Sequence, residues 1–227
     1  MTAVSLSTLR TRVRILGNYE NSARFTDAWL TEQVNVALGE LYEIIAETNE
    51  GYFDVEATTT TIAANANVTM PADFLHLRGV DLSVNGTWVE LAQIGIQDRN
   101  RYQTAGQPVA YRISAAVQSG TTQRGGLILY PTPSAVYTVR FTYEPSRTLL
   151  SSDSDTVEGF NGWEDYIVTA ALLRCDEREQ RDVGPRMAKL QQIRARVVSG
   201  ATRRRAAEPE YLIPRSGYAS AWDGEVF

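Results

Sequence analysis

The chain holds one cysteine, one histidine and one lysine among its 227 residues. Each scarcity closes off a class of chemistry. A single thiol, Cys175, cannot form an internal disulfide or a multi-cysteine zinc site. It stands in the apolar stretch AALLRC, which reads as a buried structural thiol rather than a nucleophile. The lone histidine, His76, has none of the sequence context that a nucleophile–imidazole pair needs. No apolar run approaches the length of a membrane span. The opening stretch MTAVSLSTLRTRV lacks the apolar core of a secretory leader, so synthesis and retention in a cytoplasm are expected.

Phosphate-binding and calcium-binding signatures are missing too. Gly125-Gly126 is not followed by Gly-Lys-Ser/Thr, so it reads as a bend before a strand. Asp153, Asp155 and Glu158 lack the glycine and terminal glutamate of a twelve-residue calcium loop. Their plainer role is to favour the N-terminus of the helix that follows. Spacing alone does not make them a glycosidase pair, which is defined by geometry in a cleft. The expectation is a protein without catalytic residues, metal or cofactor.

With lysine nearly absent, 21 arginines carry the positive charge. A GC-rich coding genome is the simplest source of that bias, although the planar, weakly hydrated guanidinium also suits interfaces. A net charge of -5 and a pI near 5.1 argue against a surface that coats nucleic acid. Hydrophobic residues at 43% and charged residues at 22% describe an ordinary globular chain.

The period of the sequence changes twice. Val4, Leu6, Leu9, Val13 and Leu16 suit a short amphipathic helix that stops at Gly17-Asn18. A second helix starts at the competent caps Thr26 or Asp27, and Leu30, Val34, Leu38, Leu41 and Ile45 trace its stripe to about Thr48. From Tyr52 to Glu144 the chain reads as strands. A turn at Asn65-Ala66-Asn67 predicts a hairpin into Val68–Met70. Asn85-Gly86 is a strong hairpin signal between Leu75–Val84 and Trp88–Leu91. A short helix is expected between Ile94 and Ala105. Strands Ala110–Ile113 and Leu127–Tyr130 flank a polar loop from Gln118 to Gly126, and Val136–Tyr143 alternates as a strand should. Helices return from near Gly162 to about Asp182 and from Pro185 to about Arg205, with Gly184-Pro185 breaking between them.

The expected class is therefore α+β. N- and C-terminal helix pairs form one antiparallel bundle, with an inserted antiparallel β region and an extended C-terminal tail. The boundaries are 1–50 for the first helices, 51–150 for the β insertion, 151–206 for the last helices and 207–227 for the tail. Gly159, Gly162 and Trp163 mark the hinge where the β insertion gives way to the third helix, and Trp163 is expected to pack on the bundle.

Two features invite partners. Arg203, Arg204 and Arg205, with Arg194 and Arg196 upstream, form a basic helix end. That cluster can serve the helix dipole, or it can meet phosphates or an acidic protein surface. The tail carries Tyr211, Leu212, Tyr218, Trp222 and Phe227 without a convincing element around them. Exposed aromatics of this kind favour a partner-binding segment over a strap on the same chain.

Five phrases occur in order: RVRILG at 12–17, RFTDAWL at 24–30, PADFLHLRGV at 71–80, LYPTP at 129–133 and GFNGWEDYIV at 159–168. Together they give a chain that resembles the head-to-tail connector, or adaptor, proteins of tailed bacteriophages, over about Leu6 to Arg205. The resemblance implies a structural virion protein of the neck between head and tail. It implies twelve copies in a ring below the portal protein, contact with a tail or nozzle protein, and a channel through which DNA passes without sequence-specific binding. It further implies that the helices build the ring wall, that the β insertion faces the tail side or the outside, and that the C-terminal segment reaches the portal. Arg203, Arg204, Arg205, Tyr211, Leu212, Tyr218, Trp222 and Phe227 would then lie at the portal or a neighbouring subunit. From another class, a carbohydrate- or surface-binding β module on a helical oligomerisation stem would show the same elements. A hydrolase using Asp153 and Asp155 is a more distant reading.

Overall fold

The computed structural model describes residues 3–119, 122–157 and 163–205. After a two-residue strand, β1 (Val4–Ser5), helix α1 runs Leu6–Gly17. The Ser5 hydroxyl accepts from the Thr8 N–H at 3.2 Å, and Asn18 closes the helix in the left-handed region, φ 58°. Helix α2 (Asp27–Thr48) begins on Thr26, whose hydroxyl accepts from the Trp29 N–H. Helices α3 (Glu164–Arg178) and α4 (Gly184–Arg205) close the described chain. Leu9, Leu41, Ile167 and Val197, one from each helix, belong to a single buried core. That shared burial is why four modest amphipathic stripes hold together in water.

Between the helix pairs lie two four-stranded sheets. The first joins β2 (Val55–Thr60), β9 (Thr138–Pro145), β4 (Phe74–Val84) and β5 (Thr87–Glu90) in that order. The second joins β3 (Asn67–Thr69), β8 (Thr122–Tyr130), β7 (Ala110–Ser119) and β6 (Ala92–Gln93). Val80, Leu82, Val139 and Phe141 of the first sheet share a core with Val68, Tyr111, Leu127 and Leu129 of the second. Alternation puts these residues inward and Asp81 and Arg140 outward. Asn85 and Gly86 both take positive φ, 52° and 82°, as a two-residue hairpin turn requires.

Three expectations need correction. Gln118–Gly126 is not a loop, because β7 and β8 pair through Gln118 and Gln123 and cover most of it. The turn at Asn65 does not fold Val55–Thr60 onto Val68. β2 pairs with β9 and β3 with β8, so the chain crosses from one sheet to the other there. Ile62 and Asn65 form only an isolated bridge. The β region is also not antiparallel throughout, since β6 runs parallel to β7. The expected short helix is a 3-10 turn, Ile96–Arg101. The third helix starts at Glu164, and Trp163 occupies its cap position.

Candidate assembly interface

Where β9 ends, the chain returns to the helices along α2. Asn35 clamps it: its side-chain amide donates to the Leu150 carbonyl, and its side-chain oxygen accepts from the Leu150 N–H, both at 2.9 Å. Arg147 donates to the Asn35 carbonyl. Its guanidinium lies so close to Gly39 that a Cβ there would stand 2.9 Å away. The Tyr42 hydroxyl donates to the Pro145 carbonyl at 2.6 Å, and burial pushes that phenol well above its ordinary pKa.

The acidic turn that follows folds on itself. The Asp155 carboxylate accepts from the backbone N–H groups of Ser151 and Ser152 at 2.7 and 2.8 Å, which holds it below the usual carboxylate range. The Asp155 carbonyl accepts from the Leu6 N–H at 2.8 Å, and the Asp153 carbonyl accepts from the Ser7 N–H at 3.3 Å. The strand β10 (Thr156–Val157) pairs with β1. Among the described residues, Asp153 and Asp155 therefore satisfy orphan donors at the start of α1 rather than of α3, which corrects the expectation for these two; Glu158 lies outside the described residues.

Trp163 is buried at 6% exposure, with its ring 6.2 Å from that of Tyr52. Gly200 of α4 faces the indole closely enough that a Cβ there would sit 3.1 Å from it. Gly159 and Gly162 of the expected hinge lie outside the described residues. An open groove of about 1070 Å³ runs beside the returning chain, lined by Tyr42, Phe53, Val55, Arg147 and Leu149 among others.

The arginines of the helices are largely engaged within the subunit. Arg10 meets Asp153, Arg12 meets Asp165 at 2.6 Å, and Arg14 meets Asp27 at 2.9 Å. The Arg14 hydrogen bond holds the Asp27 carboxyl below its ordinary range. Arg174 pairs with Glu40, and Arg186 with the buried Asp176, which also accepts from the Tyr19 hydroxyl at 2.8 Å. Burial first, then that hydrogen bond, pushes Tyr19 up to about 12. Arg10 and Arg14, four positions apart, both reach α2, at Thr31 and Asp27, while Arg12 between them turns to Asp165 of α3. No sequence pattern announced those partners, since most come from distant segments.

Cys175 is buried, and burial pushes its thiol up to about 12. The His76 side chain is largely exposed, 3.5 Å from Glu144 and remote in sequence from Cys175. Among the described residues no group of three His, Cys, Asp or Glu side chains is placed to hold a metal ion. No helix among them is long and apolar enough to cross a membrane. Arg203, Arg204 and Arg205 form the last residues of α4. Tyr211, Leu212, Tyr218, Trp222 and Phe227 lie outside the described residues.

The arrangement comprises one helical core, a second core between two sheets, and a return segment clamped to α2. No curated protein matches the chain. The family model for the SU10 adaptor protein matches residues 2–212, through both helix pairs and the whole β region. The chain therefore belongs to the SU10 adaptor protein family of bacteriophage head-to-tail adaptors.

Proposed function

We propose that the protein is one subunit of a ring, of twelve copies, that sits below the portal protein, joins the capsid to the tail or nozzle protein, and lines the channel through which DNA leaves. The observation that carries this reading is the family match over residues 2–212, which takes in every described element. The helices 1–50 and 151–206 act as one antiparallel bundle that builds the ring wall. The unit 51–150 projects toward the tail side or the outside, and 207–227 is the portal-seeking tail. Gly159, Gly162 and Trp163 serve as the joint between projection and wall.

The staples within each subunit support the reading: a wall that transmits DNA must keep its shape, and ion pairs such as Arg12–Asp165 tie α1 to α3. They also leave fewer arginines to grip phosphates. An acidic chain has little long-range attraction for passing DNA, so contact is not sequence-specific. Arg203, Arg204 and Arg205 meet an acidic patch on the portal or a neighbouring copy, and Tyr211, Leu212, Tyr218, Trp222 and Phe227 supply apolar anchors. The subunit is made in the host cytoplasm and ends in the virion neck.

The test mixes the full chain with its cognate portal and images the product. A portal-capped ring is expected. A chain ending at Ala206 should stay folded by circular dichroism and fail to join heads to tails. Normal joining by that chain would remove the tail from the reading.

A further inference from the structure

The first sheet ends on both sides in strands with an open edge among the described residues: β2 on one side and β5 on the other. An open edge is a row of unpaired backbone donors and acceptors, and proteins that stay monomeric blunt such edges with Lys, Pro or a bulge. Both strands lack Lys, Pro and a bulge; the short length of β5 and the single Glu in each strand blunt the edges only in part. β2 reads VEATTT and β5 reads TWVE, and both pair with their inner neighbours without a register shift. All four β5 residues are exposed, including Trp88 at 40% and Val89 at 45%.

The two edges also fit one another. Every step from β2 through β9 and β4 to β5 is antiparallel, so β5 runs opposite to β2. Laid against β2 of a second copy, β5 continues the same alternation. Thr58, Arg140, Asp81 and Glu90 form one row across the outer face. Extending that row over the seam sets Glu90 opposite Thr58 of the neighbouring copy, and Trp88 opposite its Thr60. Inward, Val89 meets Thr59, a pair of β-branched residues suited to cross-strand packing. A slip of two residues one way sets Glu90 against Glu56, like charge on like charge. A slip of two the other way carries Trp88 past the end of β2, and a slip of one turns inward residues outward.

We propose that β5 of each copy pairs antiparallel with β2 of the next, joining the first sheets of neighbouring subunits into one continuous β belt. The proposal rests on the ring reading above and names its contact surface. Each copy gives one edge and receives the other, a head-to-tail contact that a closed ring satisfies at every subunit.

The experiment uses the full chain carrying Thr58→Cys and Glu90→Cys together. Within one copy these positions are three strand spacings apart, about 14 Å, against the roughly 4.4–6.8 Å between Cα atoms that a disulfide spans. Any disulfide between them therefore joins copies. The chain is assembled on its portal, imaged, oxidised and run without reductant. A ladder of covalent multimers is expected, lost in each single-cysteine variant and in the parent, whose Cys175 is buried. Rings by imaging without a ladder would overturn the belt and leave the ring standing. Failure of the parent to form rings would overturn both. As a second arm, Thr58→Glu should lower assembly at least tenfold, and Glu90→Thr in the same chain should restore it. A folded Thr58→Glu chain that assembles normally overturns the proposal.

Discussion

The guanidinium of Arg10, on α1, donates to the carboxylate of Asp153, 143 positions later in the chain. The same turn gives α1 two backbone acceptors, so this ion pair fastens the segment leaving the sheets to the first helix. Arg10 is only 9% exposed, and its other hydrogen bond runs to the Thr31 hydroxyl at 3.2 Å. The Asp153 side chain is largely exposed. Removing the two partners therefore has unequal effects. Asp153→Ala leaves a buried guanidinium short of an acceptor and should cost about 1 kcal/mol, softened because water can reach the vacated side. Arg10→Met keeps the aliphatic packing and leaves Asp153 to solvent, so it should cost less. Urea unfolding of the two variants checks the order.

Asp27 and Asp155 give the acid side of the stability curve. Both carboxyls are held below the ordinary range, Asp27 first by Arg14 and Asp155 by two backbone N–H groups. A depressed folded value means that stabilisation is complete above the unfolded value, about pH 4, and is lost as pH falls through the folded value. Asp155→Asn lacks that titration. Its melting temperature should lie below the parent's at about pH 6, with the gap shrinking below about pH 4. A gap that stays constant on acidification would show that the Asp155 charge does not hold the turn.

Asp176 of α3 joins the turn after α1 to α4. Its carboxylate is buried, accepts from Tyr19 and pairs with Arg186. Tyr19→Phe removes one donor and should cost about 1 kcal/mol. Arg186→Ala strands a buried negative charge and should cost about 2–3 kcal/mol. Because both donors share one acceptor, the double variant should depart from the sum of the two. Additive losses in a double-mutant cycle would mean that the two contacts are independent.

Local order was legible in the sequence; distant pairing was not. The Thr26 cap and apolar stripe of α2 are local features, and the helix forms where they place it. Asn85-Gly86 likewise forms its hairpin because two adjacent positive φ values fix the strand direction. The partner of β2 lies about 80 positions away on β9, beyond the reach of any turn signal. Gln118–Gly126 reads as loop because its residues are polar and glycine-rich, yet ladder hydrogen bonds to β7 keep much of it extended. The acidic turn shows the same limit. Its residues were visible as caps, but which helix they cap depends on β10 meeting β1 from the other end of the chain. Trp163 packs in the shared core, as a large aromatic just before a helix is expected to do.

Trp163 and Gly200 supply the last prediction. A Cβ at Gly200 would stand 3.1 Å from the Trp163 ring, close enough that the indole must shift by a few tenths of an ångström. Gly200→Ala also gains roughly 1 kcal/mol of helix propensity inside α4, so the two effects should nearly cancel. Gly200→Leu cannot be absorbed that way. Its branched end needs space the indole fills, and it should cost about 2 kcal/mol by overpacking. The indole would be pushed toward solvent, so the fluorescence of Gly200→Leu should shift to the red. Four tryptophans emit, so the assignment uses a Trp163→Phe background, in which Gly200→Leu should cause no shift. A red shift that persists there would mean that the contact between α4 and the start of α3 is not what excludes water from Trp163.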